Sequence, residues 1–208
     1  MNERTQDRTV FIVDDDPSIC EAISNLLESV GLRSEHFGST EEFLRGRRAS
    51  FGCLILDVRL PGMTGVEFQQ ELIRSGADIP IIFMTAHGDI PMVRKVMKAG
   101  AIEFLTKPFQ KEELLSAIQQ AFERSETHRV EEAACRLART RFEKLSQRER
   151  EVMEMMTAGL LTKQIAGNLN LSEITVKLHR RHVMEKMEAS SLADLVRMAD
   201  RVKRISRS

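Results

Sequence analysis

Three aspartates in a row, Asp14, Asp15 and Asp16, follow the apolar run VFIV; Asp57 follows LIL within LILDVRLPG. Thr85 ends IIFMT, and Lys107 sits in EFLTKPF just before Pro108. Acids, a hydroxyl and an ammonium are groups that can handle a phosphoryl group. Clustered carboxylates repel unless a cation or a proton relieves them. Oxygen donors with room for water suit Mg²⁺ rather than zinc. A carboxylate beside such an ion can act as an in-line nucleophile on phosphorus while the metal offsets charge on the phosphoryl oxygens. Lys107 can pair with one of those oxygens, and the Thr85 hydroxyl can hydrogen-bond another. Taken singly, each residue has a plainer reading: a cap or turn for the aspartates, a turn for Thr85, a solvated charge for Lys107. Asp16, ahead of Pro17, reads as turn chemistry leading into a Ser18 cap. Their joint placement carries the chemical reading.

That placement requires particular elements. The strand patterns are Val10–Val13, Arg33–Phe37, Cys53–Leu56, Ile81–Met84 and Glu103–Leu105, with helical patterns between them. Ser18 with Glu21 and Ser39 with Glu42 have the spacing of capping boxes. Five βα units over about 120 residues imply a parallel sheet covered on both faces, so its strands should be apolar throughout, as VFIV, CLIL and IIFM are. In such sheets the functional crevice lies beyond the carboxyl ends of the strands, at the switch in strand order. Asp14 to Asp16, Asp57, Thr85 and Lys107 all fall at strand ends.

Composition bounds the rest. The 208 residues are 42% hydrophobic and 30% charged, as in a soluble globular chain. No apolar run approaches a membrane span and the start, MNERTQDR, is too polar for a secretory signal, so a cytoplasmic protein without membrane association is expected. Cys20, Cys53 and Cys135 lack disulfide or zinc spacing and read as reduced, packed thiols. The zero net charge conceals an asymmetry: residues 1–125 carry 14 Lys and Arg against 19 Asp and Glu, residues 126–208 carry 17 against 12. An acidic front and a basic back suggest two domains with different partners.

The front half, over roughly residues 8–125, resembles the receiver domain of two-component response regulators in four motifs taken in order: VDDD, LILDVRLPGMTG, FMTAHGD and FLTKPF. The TAHGDI stretch is similar to the FixJ-like group. The resemblance implies a flavodoxin-like (βα)5 fold with a five-stranded parallel sheet. It implies that Asp57 is the phosphoacceptor, charged by a sensor histidine kinase, and that Asp14, Asp15, Asp57 and the backbone carbonyl of Arg59 hold Mg²⁺. Thr85 and Lys107 become the switch and phosphate-sensing residues and Phe104 the switch aromatic, in the place of a frequent tyrosine. His87 reads as a surface or dimer-contact histidine.

From Lys111 to Lys144 there is neither proline nor glycine, and Leu114, Leu115, Ile118, Phe122, Val130, Ala134 and Leu137 recur at helical spacing, so the last receiver helix is expected to continue into a helical linker, 126–141. Beyond it the helices are short. LSQREREVMEMMTAGL opens on a capping box, Ser146 with Glu149, and closes near Gly159. A helix over Lys163–Leu169, a tight turn and a longer helix capped by Ser172 make a helix-turn-helix, and a last helix covers about Leu192–Val202. Lys177, Arg180, Arg181 and Lys186, with His179 and His182, supply its polar side; Ile174, Val176 and Val183 are expected to face the core.

Within a second domain expected over 142–208, about residues 142–204 resemble the LuxR-type helix-turn-helix output domain of FixJ-like and NarL-like regulators, an all-α four-helix fold, on residues that include Glu149, Val152, Gly159, Ile165, Thr175, Val176, Lys177, His179 and Lys186. By position in that family Lys177, Leu178 and Arg181 reach base edges of promoter DNA, and Lys163, Thr175 and Arg180 lie nearer phosphates. Joined, the halves imply a transcription regulator rather than an enzyme. Phosphorylation would draw in Thr85, shift the helix around Pro91–Lys98 and Phe104, and promote a homodimer on DNA, with RNA polymerase as a further partner. Two other classes stand beside this reading: an aspartyl-phosphate hydrolase, although Arg59 occupies the place of its usual second acid, and a regulator that binds DNA without phosphorylation.

Overall fold

The computed structural model describes residues 8–46, 51–86 and 90–205. The chain separates into two compact units that divide between His128 and Arg129.

In the first unit, strands β1 (Arg8–Val13), β2 (Arg33–Phe37), β3 (Phe51–Asp57), β4 (Ile81–Thr85) and β5 (Glu103–Thr106) alternate with helices α1 (Pro17–Ser29), α2 (Thr40–Gly46), α3 (Gly65–Arg74), α4 (Ile90–Lys98) and the first part of α5 (Lys111–Glu143), whose later residues belong to the second unit. The sheet is wholly parallel, in the order β2-β1-β3-β4-β5. Strand order reverses between β1 and β3, which places the switch point where VDDD and LILD end.

Alternate residues of each strand feed opposite faces. Val10, Ile12, Cys53, Ile55, Ile82 and Met84 pack with Cys20, Ile23 and Leu27 of α1 and Leu114, Ile118 and Phe122 of α5. Phe11, Val13, Leu54, Leu56 and Phe83 pack on the other face with Phe43 of α2, Phe68 and Leu72 of α3 and Val96 of α4. Burial on both faces is why the central strands are continuously apolar. Strand β2, RSEHF, departs from that pattern because it is an edge strand, and only Phe37 of its five residues is buried.

Two caps differ from expectation. Asp16, not Ser18, is the N-cap of α1: its carboxylate accepts from the Ser18 N–H at 2.9 Å and Pro17 takes the first helical turn. Proline suits that position because it has no N–H to lose. Ser39 does accept from the Glu42 N–H at 3.1 Å, but Glu42 reaches back to the Gly38 N–H at 2.8 Å, one residue beyond a regular box.

Helix α5 is the expected long helix, 33 residues through the segment 126–141. In its second half Cys135 and Ala138 are buried while Val130 and Leu137 are exposed.

In the second unit α6 (Gln147–Thr157), α7 (Thr162–Leu169), α8 (Glu173–Met187) and α9 (Leu192–Ile205) enclose a core of Leu145, Val152, Met153, Met156, Ile165, Val176, Val183, Met187 and Leu195. The Ser146–Glu149 capping box is complete, and Ser172 caps α8 through the Thr175 N–H. The turn between α7 and α8 pivots on Asn170, left-handed at φ 52°, a conformation asparagine tolerates better than most residues. No helix among the described residues is long and apolar enough to cross a membrane.

Candidate functional site

The carboxyl ends of β1, β3 and β5 bring three side chains to one point. Lys107 Nζ donates to Asp14 Oδ2 at 2.6 Å and to Asp57 Oδ1 at 3.0 Å, across 93 and 50 residues of sequence. The far oxygens are tied locally: Asp14 Oδ1 accepts from the Asp16 N–H at 2.9 Å and Asp57 Oδ2 from the Arg59 N–H at 2.8 Å. Each carboxylate is thereby oriented by its own loop and presents its other oxygen to the shared ammonium.

The backbone beneath is equally constrained. The Val58 N–H reaches Met84 O at 3.1 Å, the Gly65 N–H reaches Val58 O at 3.0 Å, and the Lys107 N–H reaches Thr85 O at 2.7 Å. A Cβ on Gly65 would lie 2.3 Å from the carbonyl oxygen of Asp57, so only glycine lets α3 start this close to the end of β3. The Lys107–Pro108 peptide is cis.

Asp14 and Asp57 are buried, and a buried carboxylate is costly without a partner. Burial, the largest cause, pushes the Asp57 carboxyl above the ordinary range; the hydrogen bond and charge of Lys107 pull it down, and the charge of Asp14 adds to the rise. For Lys107, loss of solvent works against the charged form, but its hydrogen bonds to Asp14 and Asp57 outweigh that and hold the ammonium above its usual value. The one ammonium is thus shared between the two carboxyl groups.

The remaining predicted residues are placed as follows. Asp15 is exposed, next to Asp14 on the loop leaving β1, and among the described residues no group of three or more His, Cys, Asp or Glu side chains is arranged to hold a metal. Two carboxylates thus converge through Lys107. Such a set fits a hard divalent ion, because Mg²⁺ is typically held by one or two carboxylates and keeps several waters. Thr85 is buried at the end of β4, opposite Thr106 of β5. Phe104 pairs with Phe83 in the sheet and lies half-buried against the same cluster as Met92 of α4. His87 lies outside the described residues.

The thiols stay apart from this chemistry. Burial raises Cys20 to about 11, with the charges of Asp14 and Asp16 adding to the rise, and raises Cys53 to about 12. Both are protonated, packed thiols at neutral pH.

In the second unit the exposed side of α8 carries Ile174, Lys177, Leu178 and Arg181, with Val176, Val183 and Met187 buried opposite. Ile174, expected to face the core, is instead 79% exposed. Val176 and Val183 are seven residues apart and share the inner stripe; Ile174, two before Val176, falls on the far side of the helix. Lys163 is exposed on α7, Thr175 is half-buried beside the Ser172 hydroxyl at 2.9 Å, and Arg180 is half-buried on the flank.

Lys186 is not part of the open basic face. Its ammonium donates at 2.6 Å to Glu149 of α6, whose carboxylate also accepts the Ser146 N–H at 2.8 Å and lies 3.5 Å from His182 Nδ1. Loss of solvent alone would raise the Glu149 carboxyl, but the Lys186 hydrogen bond and those of Ser146 overcome it and hold it at about 2. Because this folded value lies below the ordinary carboxylate value, the pair stabilises the unit above about pH 4.5 and that stability is lost as pH falls toward 2. Glu149→Gln is expected to lose about 2 kcal/mol at pH 7, part of it the capping-box acceptor, with the gap to wild type closing near pH 2. Urea unfolding of the full chain, followed by hydrogen exchange in α6 and α8 across that pH range, measures it; a gap independent of pH would contradict the charge account.

Comparison with known proteins places both units. Residues 10–119 match the family described as response regulator receiver domain, and residues 143–199 match bacterial regulatory proteins, luxR family. Nodulation protein W of Bradyrhizobium diazoefficiens is 49% identical over 92% of this chain and 85% of its own length. The transcriptional regulatory protein FixJ of the same organism is 38% identical over 92% of this chain and 94% of its own. Among solved structures, the response regulator StyR is 46% identical, covers 93% of this chain and 98% of its own, and superposes with a TM-score of 0.79.

Proposed function

The chain belongs to the FixJ-like response regulators, in which a receiver domain is joined to a LuxR-type DNA-binding domain that regulates transcription, and from that premise we propose that Asp57 takes a phosphoryl group from a sensor histidine kinase and so controls DNA binding by the second domain. The observation that carries this reading is the convergence of Asp14 and Asp57 on the Lys107 ammonium at the β1/β3 switch point.

A carboxylate oxygen of Asp57 forms the new bond to phosphorus as the bond from phosphorus to the kinase's histidine nitrogen breaks, and that electron pair stays on the imidazole. The Arg59 N–H keeps the carboxylate oriented through its other oxygen. Asp14, Asp15, Asp57 and the Arg59 carbonyl would hold Mg²⁺, which when bound offsets charge on the phosphoryl oxygens. Lys107, already seated between the two carboxylates, moves its charge onto a phosphoryl oxygen, and the Thr85 hydroxyl donates to another.

Drawing Thr85 inward acts on what is packed near the end of β4. Phe104 lies one strand over and in one cluster with Met92 of α4, so the α4–β5 surface changes with the phosphorylation state. A homodimer formed there presents two copies of α8 to a two-fold pair of half-sites in the major groove. Lys177, Leu178 and Arg181 read base edges, and Lys163, Thr175 and Arg180 hold phosphates. The acidic receiver unit and the basic second unit suit a cytoplasmic protein that meets a kinase with one and promoter DNA, with RNA polymerase beside it, through the other.

The test uses the full chain. Incubation with a small phosphodonor and Mg²⁺ is expected to add one phosphoryl group by intact mass, to fail with chelator, and to tighten binding to sequences selected from random duplex DNA, with affinity falling steeply as salt rises. No added mass, or added mass without change in binding, overturns the proposal.

A further inference from the structure

The second unit exposes several large apolar side chains, among them Leu161, Ile174, Leu178 and Leu192. Ile174 is 79% exposed, more than any other large apolar residue among the described ones. It sits in the first turn of α8, one turn before Leu178, itself 44% exposed, and two turns before Arg181. The core stripe of Val176, Val183 and Met187 lies on the opposite side and is closed without it. An isoleucine left mostly in water gives up most of the stabilisation that burial would bring.

The N-terminal residues of a reading helix are those that meet base edges in the major groove. The feature there that an aliphatic side chain recognises is the 5-methyl group of thymine, the one apolar mark in the groove's pattern of donors and acceptors. Lys177 and Arg181 supply cations that suit guanine, so the four residues on this face offer two kinds of contact. The geometry points to Ile174 as a specificity-determining residue of the DNA interface, which packs on a thymine methyl group in each half-site. This rests on the reading of α8 proposed above.

The test starts from the duplex that the phosphorylated full chain selects from random DNA. Each thymine is replaced in turn by uracil, which lacks only the methyl group. Wild type is expected to lose roughly four-fold in affinity at one thymine per half-site, the worth of one methyl removed from water. Ile174→Ala is expected to be indifferent at that position, to remain sensitive wherever wild type is otherwise sensitive, and to keep a thermal midpoint close to wild type because the side chain lies outside the core. If Ile174→Ala retains the whole wild-type pattern, or wild type is indifferent to uracil everywhere, the inference is overturned. Arg181→Ala separates the two levels. Lost binding in Arg181→Ala beside an unaltered uracil pattern in Ile174→Ala sinks this inference alone, whereas undiminished, equally selective binding in Arg181→Ala sinks the reading of α8 and this inference with it.

Discussion

Asp57→Asn is expected to abolish phosphoryl uptake and, with it, the entire phosphodonor-dependent gain in DNA affinity. Asparagine keeps the shape of the side chain and can still accept the Arg59 N–H that holds Asp57 Oδ2 at 2.8 Å. It lacks the anionic oxygen that must attack phosphorus, and removing a nucleophile costs on the order of 10⁴-fold or more in rate. The substitution should not unfold the unit, and the sign of its effect on stability follows from burial. The carboxyl of Asp57 sits above its ordinary value chiefly because it is buried. A carboxyl raised on folding stabilises fully below its unfolded value and loses that contribution as pH rises through the folded one, so at pH 7 the charged form works against folding. The neutral amide removes that cost, and the thermal midpoint of the variant is expected to rise. Intact mass after phosphodonor treatment, a titration of promoter binding and a thermal melt together decide it. A variant that still gained mass at one site would move the phosphoacceptor elsewhere.

Much of this site could be read before any coordinates, because parallel sheets make their strands visible. VFIV, CLIL and IIFM are buried on both faces and carry no polar residue, so their ends are sharply marked, and the reactive groups stand there. The sequence cannot show that Lys107 would seat itself on Asp14 and Asp57 together, since that contact joins positions 93 and 50 residues apart. Nor does a local pattern rank rival caps. Ser18 and Glu21 have the spacing of a box, yet Pro17 fits the first turn and hands the cap to Asp16. On α8 the apolar residues outnumber the inward positions, and only the spacing of Val176 and Val183 separates the core stripe from Ile174. Lys186 reads as one more cation of an open face until Glu149, 37 residues earlier, is seen to hold it. For Lys107 and Lys186 the residue type is legible but the partner lies far along the chain.

Lys107→Met separates the two duties of the lysine. At rest its ammonium neutralises one of two buried carboxylates; its removal leaves Asp14 and Asp57 facing each other without a cation. Taking away one partner of a buried pair costs about 3 kcal/mol, so the first unit of Lys107→Met is expected to melt well below wild type at pH 7. The deficit should depend on pH with a definite sign. Without Lys107 the chief influence lowering Asp57 is gone, and the rises due to burial and to the charge of Asp14 remain. The Asp57 carboxyl then binds a proton at still higher pH in the folded state. Stability is regained as pH falls through that raised value toward the ordinary carboxylate range, and the gap to wild type narrows over the same window. The second duty appears on phosphorylation, when the methionine has no charge to carry to the phosphoryl oxygen. Lys107→Met is therefore expected to accept phosphate from a small phosphodonor, slowly, since no ammonium meets the incoming phosphoryl oxygens, yet to show no gain in DNA affinity once modified. Lys107→Arg restores the charge and recovers most of the stability at pH 7. It recovers little of the response, because a planar guanidinium does not fit the point between two oxygens 2.6 and 3.0 Å from the lysine nitrogen. Thermal melts of the three proteins at several pH values, set beside their promoter binding before and after phosphodonor treatment, distinguish a lysine that only holds the pocket together from one that also reports the phosphoryl group. A Lys107→Met protein that kept its full response once modified would leave the lysine with the first duty alone.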